Sequence, residues 1–266
     1  MPQVDPPLTL EKRRNDVLRD GAMIVLAGLL LCAPRLWAKS LWSPDQARYA
    51  EVAREMLVSG DYLVPRVYGK PETSYPPLYY WLIALFSLAP GRVCATSATL
   101  PSLSAALGVS LLTYGIGRVL WNRRAALYSA LILTLMAGFV GAAILSRADM
   151  TLALLEVAAL FLFIRWYRNE ESRPFPLAFY GALAGATLAK GPQAPLVVGG
   201  IVLVFLGIRR ELSLLRRLRL LPGLLVFLAL TLPWYAWAWG ATRQDYFLGE
   251  DRTAAHRLAL KRRPSV

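Results

Sequence analysis

Apolar runs of about 15 to 20 residues recur from Gly21 to Trp239, and that recurrence leaves the chain one kind of fold, because about 20 apolar residues cross a bilayer core as a helix. With 56% hydrophobic residues among 266, the chain is read as all-α, a polytopic transmembrane helical bundle rather than a soluble core. No Gly/Ser linker, low-complexity tract or clear internal repeat divides the runs. One membrane domain is therefore expected over 21–240, after a basic cytoplasmic tail at 1–20 and before an outer tail at 241–266 that reads as truncated.

A net charge of +13 would suit nucleic acid, but the basic residues stand in short clusters between apolar runs, as cytoplasmic loops do. No nucleic-acid partner is expected. Seven crossings are read, at 21–38, 99–118, 125–145, 150–167, 175–190, 193–208 and 220–239. The segment 78–90, LYYWLIALFSLAP, is too short to cross at about 1.5 Å per residue and is read as buried or re-entrant. This count puts Lys12/Arg13/Arg14/Arg19, Arg118/Arg123/Arg124, Arg165/Arg168/Arg173 and Arg209/Arg210/Arg216/Arg217/Arg219 on one side. By the positive-inside rule that side, and the N-terminus, are cytoplasmic; Lys261, Arg262 and Arg263 in the outer tail dissent. The first run is long for a signal peptide and further spans follow it, so it is read as a retained anchor.

The outer side then holds Ser43 to Trp81, SPDQARYAEVAREMLVSGDYLVPRVYGKPETSYPPLYYW, a polar and aromatic loop. Ser43, Pro44 and Gln46 form an N-cap, a first-turn proline and a capping-box pattern. A helix is predicted from there to about Ser59, lying along the membrane surface with Ala50, Ala53, Met56 and Leu57 on one face and ending at Gly60-Asp61. Asp45 and Arg48 are one turn apart and can share a face. They fit a base beside a phosphate-binding cation, and equally a first-turn carboxylate with its partner.

Asp149 in SRADM and Lys190 in AKGP lie at helix ends on the same side, as does Arg147, and each suits the helix dipole even without chemistry. Glu156 lies two turns into the same span and must face the bundle interior or a wet cavity. Tyr75, Tyr79, Tyr80, Trp81, Trp234, Tyr235, Trp237 and Trp239 suit an interfacial aromatic belt. His256, the single histidine, sits in a polar tail and reads as solvated. Cys32 and Cys94 form neither a metal pattern nor a disulfide framework. There is no GxGxxG or GKS/T nucleotide loop. Two outer carboxylates leave room for a divalent cation but are too few ligands to assign one.

In DQARYAEVAREMLVSGDYLVPR, GKPETSYPPLYYW, RADM, AKGP and PWY, in that order, the chain resembles the C-type membrane glycosyltransferases. The resemblance is to the N-terminal half of the bacterial family that includes the lipid A aminoarabinose transferase and relatives of the dolichyl-phosphate-mannose protein mannosyltransferases. It implies a multi-pass inner-membrane enzyme that takes sugar from a polyprenyl phosphate and passes it to a hydroxyl of a lipid or protein on the extracytoplasmic face. It further implies Asp45 as general base, Asp149 as second carboxylate, and Arg48 and Lys190 as ligands of the donor phosphate. Tyr49, Tyr75, Tyr79, Trp81 and Glu156 are candidates to line the substrate. The chain departs from the family at Gln46, where Glu is common, and at Ser74-Tyr75, where Glu-Lys commonly precedes the paired prolines. Two alternatives stay open: an inactive homologue that binds polyprenyl phosphate as a subunit, and a lipid or sugar transporter built around Glu156.

Overall fold

The computed structural model describes the backbone of residues 10–36, 41, 43–72, 74–169 and 175–261, with side chains over 14–34, 41, 43–72, 74–168 and 177–240. Arg173, Arg262 and Arg263, and the side chains of Lys12, Arg13, His256 and Lys261, lie outside the described residues. In chain order the helices are α1 (Leu10–Leu36), α2 (Pro44–Ser59), α3 (Leu78–Ser87), α4 (Ala95–Leu120), α5 (Arg123–Leu135), α6 (Ala137–Ile144), α7 (Asp149–Asn169), α8 (Phe175–Lys190), α9 (Gln193–Ile208) and α10 (Leu220–Lys261). A two-residue hairpin, β1 (Arg66–Val67) and β2 (Lys70–Pro71), follows α2, and a 3-10 segment, Leu212–Leu218, precedes α10.

The all-α reading holds. Among the described residues four helical stretches are long and apolar enough to cross a membrane: Arg14–Pro34, Ala95–Leu120, Asp149–Arg168 and Leu220–Gly240. The stretch expected as one span over 125–145 is instead two helices, α5 and α6, bent by 63°. Met136 takes an extended ψ of 124° at the break, and Gly138 and Gly141 just after it weaken helix continuity. Counted as one span, the pair makes a fifth. At 16 residues each, α8 and α9 reach roughly 24 Å, short of a ~30 Å core, so seven crossings need the bilayer to thin around both. The helix expected over 220–239 continues as backbone helix to Lys261, since little beyond Gly240 forbids it.

Helix α4 is the hub, packing against α1, α3, α5, α6 and α7. Small residues let it approach its neighbours, as lipid-embedded helices require. A Cβ on Gly117 would lie 2.6 Å from Ala126 Cα, and Thr134 Oγ1 meets Ser110 Oγ across α4 and α5 at 2.9 Å. Because the obstruction at Gly117 is backbone, Gly117→Ala is expected to force the pair apart at a cost of about 1–3 kcal/mol. The measurement is thermal unfolding in detergent, and an unchanged melting temperature would mean that α4 and α5 separate freely.

Candidate active site

The site begins with the helix signal read from Ser43. Ser43 is the N-cap, its Oγ accepting from Gln46 N at 3.4 Å, Pro44 opens the helix, and Gly60 ends it at φ 73°. Helix α2 turns Tyr49, Val52, Ala53 and Met56 into a core shared with Tyr79, Tyr80 and Ile83 of α3, Ala98 of α4 and Ala148 just before α7. That packing fixes what the opposite edge presents. Asp45 is 55% exposed, and its Oδ1 lies 3.6 Å from Arg48 Nη2, so the expected pair forms.

Arg48 is held from several directions. Its Nη1 lies 3.3 Å from Glu72 Oε2 and donates to Ser74 Oγ at 3.1 Å, and the guanidinium sits 5.6 Å from the ring centres of both Tyr49 and Tyr75. Those rings stack on each other at 5.8 Å. Glu72 is supplied by the hairpin, whose turn residues Tyr68 and Gly69 both have positive φ, the backbone that tight two-residue hairpins prefer. Glu55 of α2 accepts from Gly69 N at 3.2 Å, and Glu72 N donates to Pro65 O at 2.7 Å. Helix and hairpin therefore place Glu72 against Arg48 together.

Burial alone would push the Glu72 carboxyl up, but hydrogen bonds from Ser74 and the Arg48 charge more than offset it and hold it below its ordinary value. A carboxyl that is more acidic folded than unfolded contributes fully above its unfolded value. That contribution is lost as pH falls through the lower folded value. Acidification below about pH 4.5 is therefore expected to loosen the hairpin, seen as faster amide exchange at Arg66 to Glu72, and Glu72→Gln should remove that pH step. Equal acid loosening in the variant would assign the step elsewhere.

The second charged group is built from three elements. Asp149 opens α7 and Lys190 closes α8, and Lys190 Nζ donates to Asp149 Oδ1. Arg147 Nε lies 3.3 Å from Asp149 Oδ2. The turn before α7 is tied to α4, with Ser146 Oγ donating to Ala98 O at 2.6 Å and Ser102 Oγ to Arg147 O at 3.0 Å. Tyr79 joins this turn to α3, its hydroxyl 2.7 Å from Ser102 Oγ and 3.3 Å from Ser146 Oγ. Its ring meets Tyr49 edge-on at 5.2 Å. Arg48, Tyr49, Tyr79 and the Arg147–Asp149 turn thus form one connected assembly at one end of the bundle.

Not every expected residue faces open space. Tyr79 is fully buried and Tyr49 nearly so, so both support the site from behind rather than line it. Trp81 Nε1 donates to Tyr62 O at 2.6 Å and Trp234 Nε1 to Leu63 O at 2.9 Å, so both anchor the loop leading into the hairpin. Glu156 is partly buried on α7, about two turns along that helix from Asp149. Glu72 escaped sequence reading, since its partner Arg48 lies across a hairpin; its one signal was to be an acid inside the GKPETSYPP loop. Among the described residues no group of three His, Cys, Asp or Glu could hold a metal ion. The two carboxylates considered for a divalent cation are instead paired with Arg48, and with Lys190 and Arg147.

Three comparisons bear on this arrangement. Residues 74–237 match the family described as dolichyl-phosphate-mannose-protein mannosyltransferase. The chain is 31% identical over 221 residues to an undecaprenyl phosphate-alpha-4-amino-4-deoxy-L-arabinose arabinosyl transferase of Pseudomonas savastanoi pv. phaseolicola, covering 81% of this chain and 41% of that protein. It is 27% identical over 233 residues to an uncharacterized protein of Aquifex aeolicus, covering 86% and 46%. Its fold superposes on the crystal structure of ArnT from Cupriavidus metallidurans bound to undecaprenyl phosphate with a TM-score of 0.78 at 26% identity, covering 85% of this chain and 43% of that one. The chain thus spans less than half the length of these relatives. Since the matched residues make up more than half of this sequence and the membrane bundle agrees with a solved relative, the chain belongs to the dolichyl-phosphate-mannose-protein mannosyltransferase family.

Proposed function

We propose that the chain is a membrane glycosyltransferase domain that takes sugar from a polyprenyl-phosphate donor and passes it to a hydroxyl of a lipid or protein acceptor. The observation that carries this reading is the assembly of Arg48, Lys190 and Arg147 with the carboxylates Asp45 and Asp149 at one end of an apolar bundle. The fold's likeness to a relative bound to undecaprenyl phosphate supports it. Asp45, the more exposed carboxylate, takes the acceptor proton. The acceptor oxygen then bonds to the anomeric carbon with inversion as the bond from that carbon to the phosphate oxygen breaks, and the electron pair leaves on the phosphate. Arg48, Lys190 and Arg147 stabilise the charge that this phosphate gains. Asp149 holds Lys190 and Arg147 in place for it, Tyr75 and Glu156 line the approach, and Tyr49, buried in the α2–α3 core, supports Arg48 from behind.

The topology proposed is that of a multi-pass bacterial inner-membrane protein with a cytoplasmic N-terminus and an extracytoplasmic site. The basic tail 1–20, the domain 21–240 with its site loop 43–81, and the tail 241–266 are its parts. The arginines Arg14, Arg19, Arg118, Arg123, Arg124, Arg165 and Arg168 near the far helix ends support that orientation. Equilibrium binding of undecaprenyl phosphate to the purified chain tests the site. Arg48→Gln and Lys190→Met are each expected to weaken binding about tenfold or more, the loss of a charge-assisted hydrogen bond. Unchanged affinity in both would remove these cations from the phosphate site.

A further inference from the structure

The 3-10 segment Leu212–Leu218 lies at the end of the bundle opposite the candidate active site. Tyr167 marks that end on α7, the helix that Asp149 opens, and roughly 27 Å of helix separates the two residues. That is close to the ~30 Å of a hydrocarbon core. Tyr167 Oη donates to Glu211 Oε2 at 2.7 Å and accepts from Arg209 Nε at 3.3 Å. On α8, which ends at Lys190, Tyr180 near the start donates to Leu218 O at 3.3 Å. The segment therefore sits where the far membrane surface must be.

Its composition fits that place. Leu218 is buried in the core of α7, α8 and α9, and Leu214 and Leu215 pack beside it, which fastens the segment across the bundle end. Arg209, Arg210, Arg216, Arg217 and Arg219 are all exposed. Within 209–219 the sequence sets five arginines beside one acid, Glu211, whose carboxylate accepts the Tyr167 hydroxyl. Arg210 and Arg219, at φ 57° and 49°, make the turns into and out of the segment in the left-handed region that side chains rarely adopt. The flanking apolar residues Ile208, Leu220 and Leu221 are 78%, 54% and 69% exposed. Exposed leucines and isoleucine beside arginines describe a surface that meets acyl chains and headgroups together.

We propose that this segment binds anionic phospholipid headgroups, such as phosphatidylglycerol, in the leaflet opposite the Asp45/Asp149 site, with Arg210, Arg216 and Arg219 taking the phosphates. Membrane-surface arginines attract anionic lipid additively. The partner is lipid rather than free phosphate because the apolar flank gives a soluble anion nothing to bury against.

The test uses the full chain purified in detergent, melted in the presence of phosphatidylglycerol or of phosphatidylcholine with the same acyl chains. Lipid retention is read in parallel by native mass spectrometry. The unmodified chain is expected to melt higher with phosphatidylglycerol and to retain it preferentially. The variant Arg210→Gln/Arg216→Gln/Arg219→Gln should lose most of that difference, with retention falling about fivefold per arginine. Replacing the same three residues by lysine should keep the difference. Arg216→Gln alone should weaken retention in part, which gives a readout if the triple variant does not fold. The same anionic preference in the unmodified chain and the glutamine variants would overturn the proposal, as would an equal melting shift from inorganic phosphate.

Discussion

Asp45→Asn is expected to lower sugar transfer by about 10²–10⁴-fold, the range over which a positioned general base accelerates a reaction, while leaving undecaprenyl phosphate affinity within about threefold of the unmodified chain. The asymmetry follows from geometry. Asp45 stands at the exposed edge of α2, 3.6 Å from Arg48, whereas Arg48 has a nearer carboxylate in Glu72 at 3.3 Å and further support from Ser74, Tyr49 and Tyr75. Removing the Asp45 charge therefore leaves the cation in place and takes away only the proton acceptor. Steady-state transfer set against equilibrium binding separates the two. A variant that transfers at the original rate would reject Asp45 as base, and one that loses binding and transfer together would make it a positioning residue.

Arg123→Met is expected to have the largest effect on stability, about 3 kcal/mol or more, with no direct effect on the site. Asp20 has no exposed side-chain surface, and Arg123 reaches both of its oxygens at 2.7 Å. Tyr114 Oη also donates to Asp20 at 2.9 Å, and Arg123 Nη1 lies 2.8 Å from Asp16. This cluster ties α1, α4 and α5 together where they emerge on the side away from Asp149. Truncating the arginine leaves a buried carboxylate without its cation, and one tyrosine hydroxyl does not replace it. The double variant Asp20→Asn/Arg123→Met should recover part of the loss, because the stranded charge is then gone. Thermal unfolding of both variants checks this; a double variant as unstable as the single one would show that packing, not charge, dominates there.

How much of this was written in the sequence depends on the range of the interactions. Helix α2 was legible from Ser43, Pro44 and Gly60 because caps are local. The approach of Asp149 to Lys190 was half legible: charge clustering put both at outer helix ends, and helices close in sequence that run antiparallel bring the start of one beside the end of the next. The Arg48–Glu72 contact was not legible, since it depends on how the Tyr68–Gly69 turn folds the hairpin back over α2. Trp81 and Trp234 looked like belt residues because an aromatic at an interface has the same sequence pattern whether its indole faces lipid or caps a loop carbonyl. The break at Met136 was hidden because both sides of it are apolar, and hydropathy reports burial in lipid rather than helix direction.

The most direct measurement is sugar transfer by the purified 266-residue chain in lipid, with a panel of polyprenyl-phosphate sugars as donors and membrane lipids and peptides as acceptors. The expected result is a new glycosidic bond, with inverted anomeric configuration and release of polyprenyl phosphate, that depends on Asp45. Retention of intact donor on Arg48 and Lys190 with no acceptor glycosylated would contradict it and leave the chain a carrier-binding component.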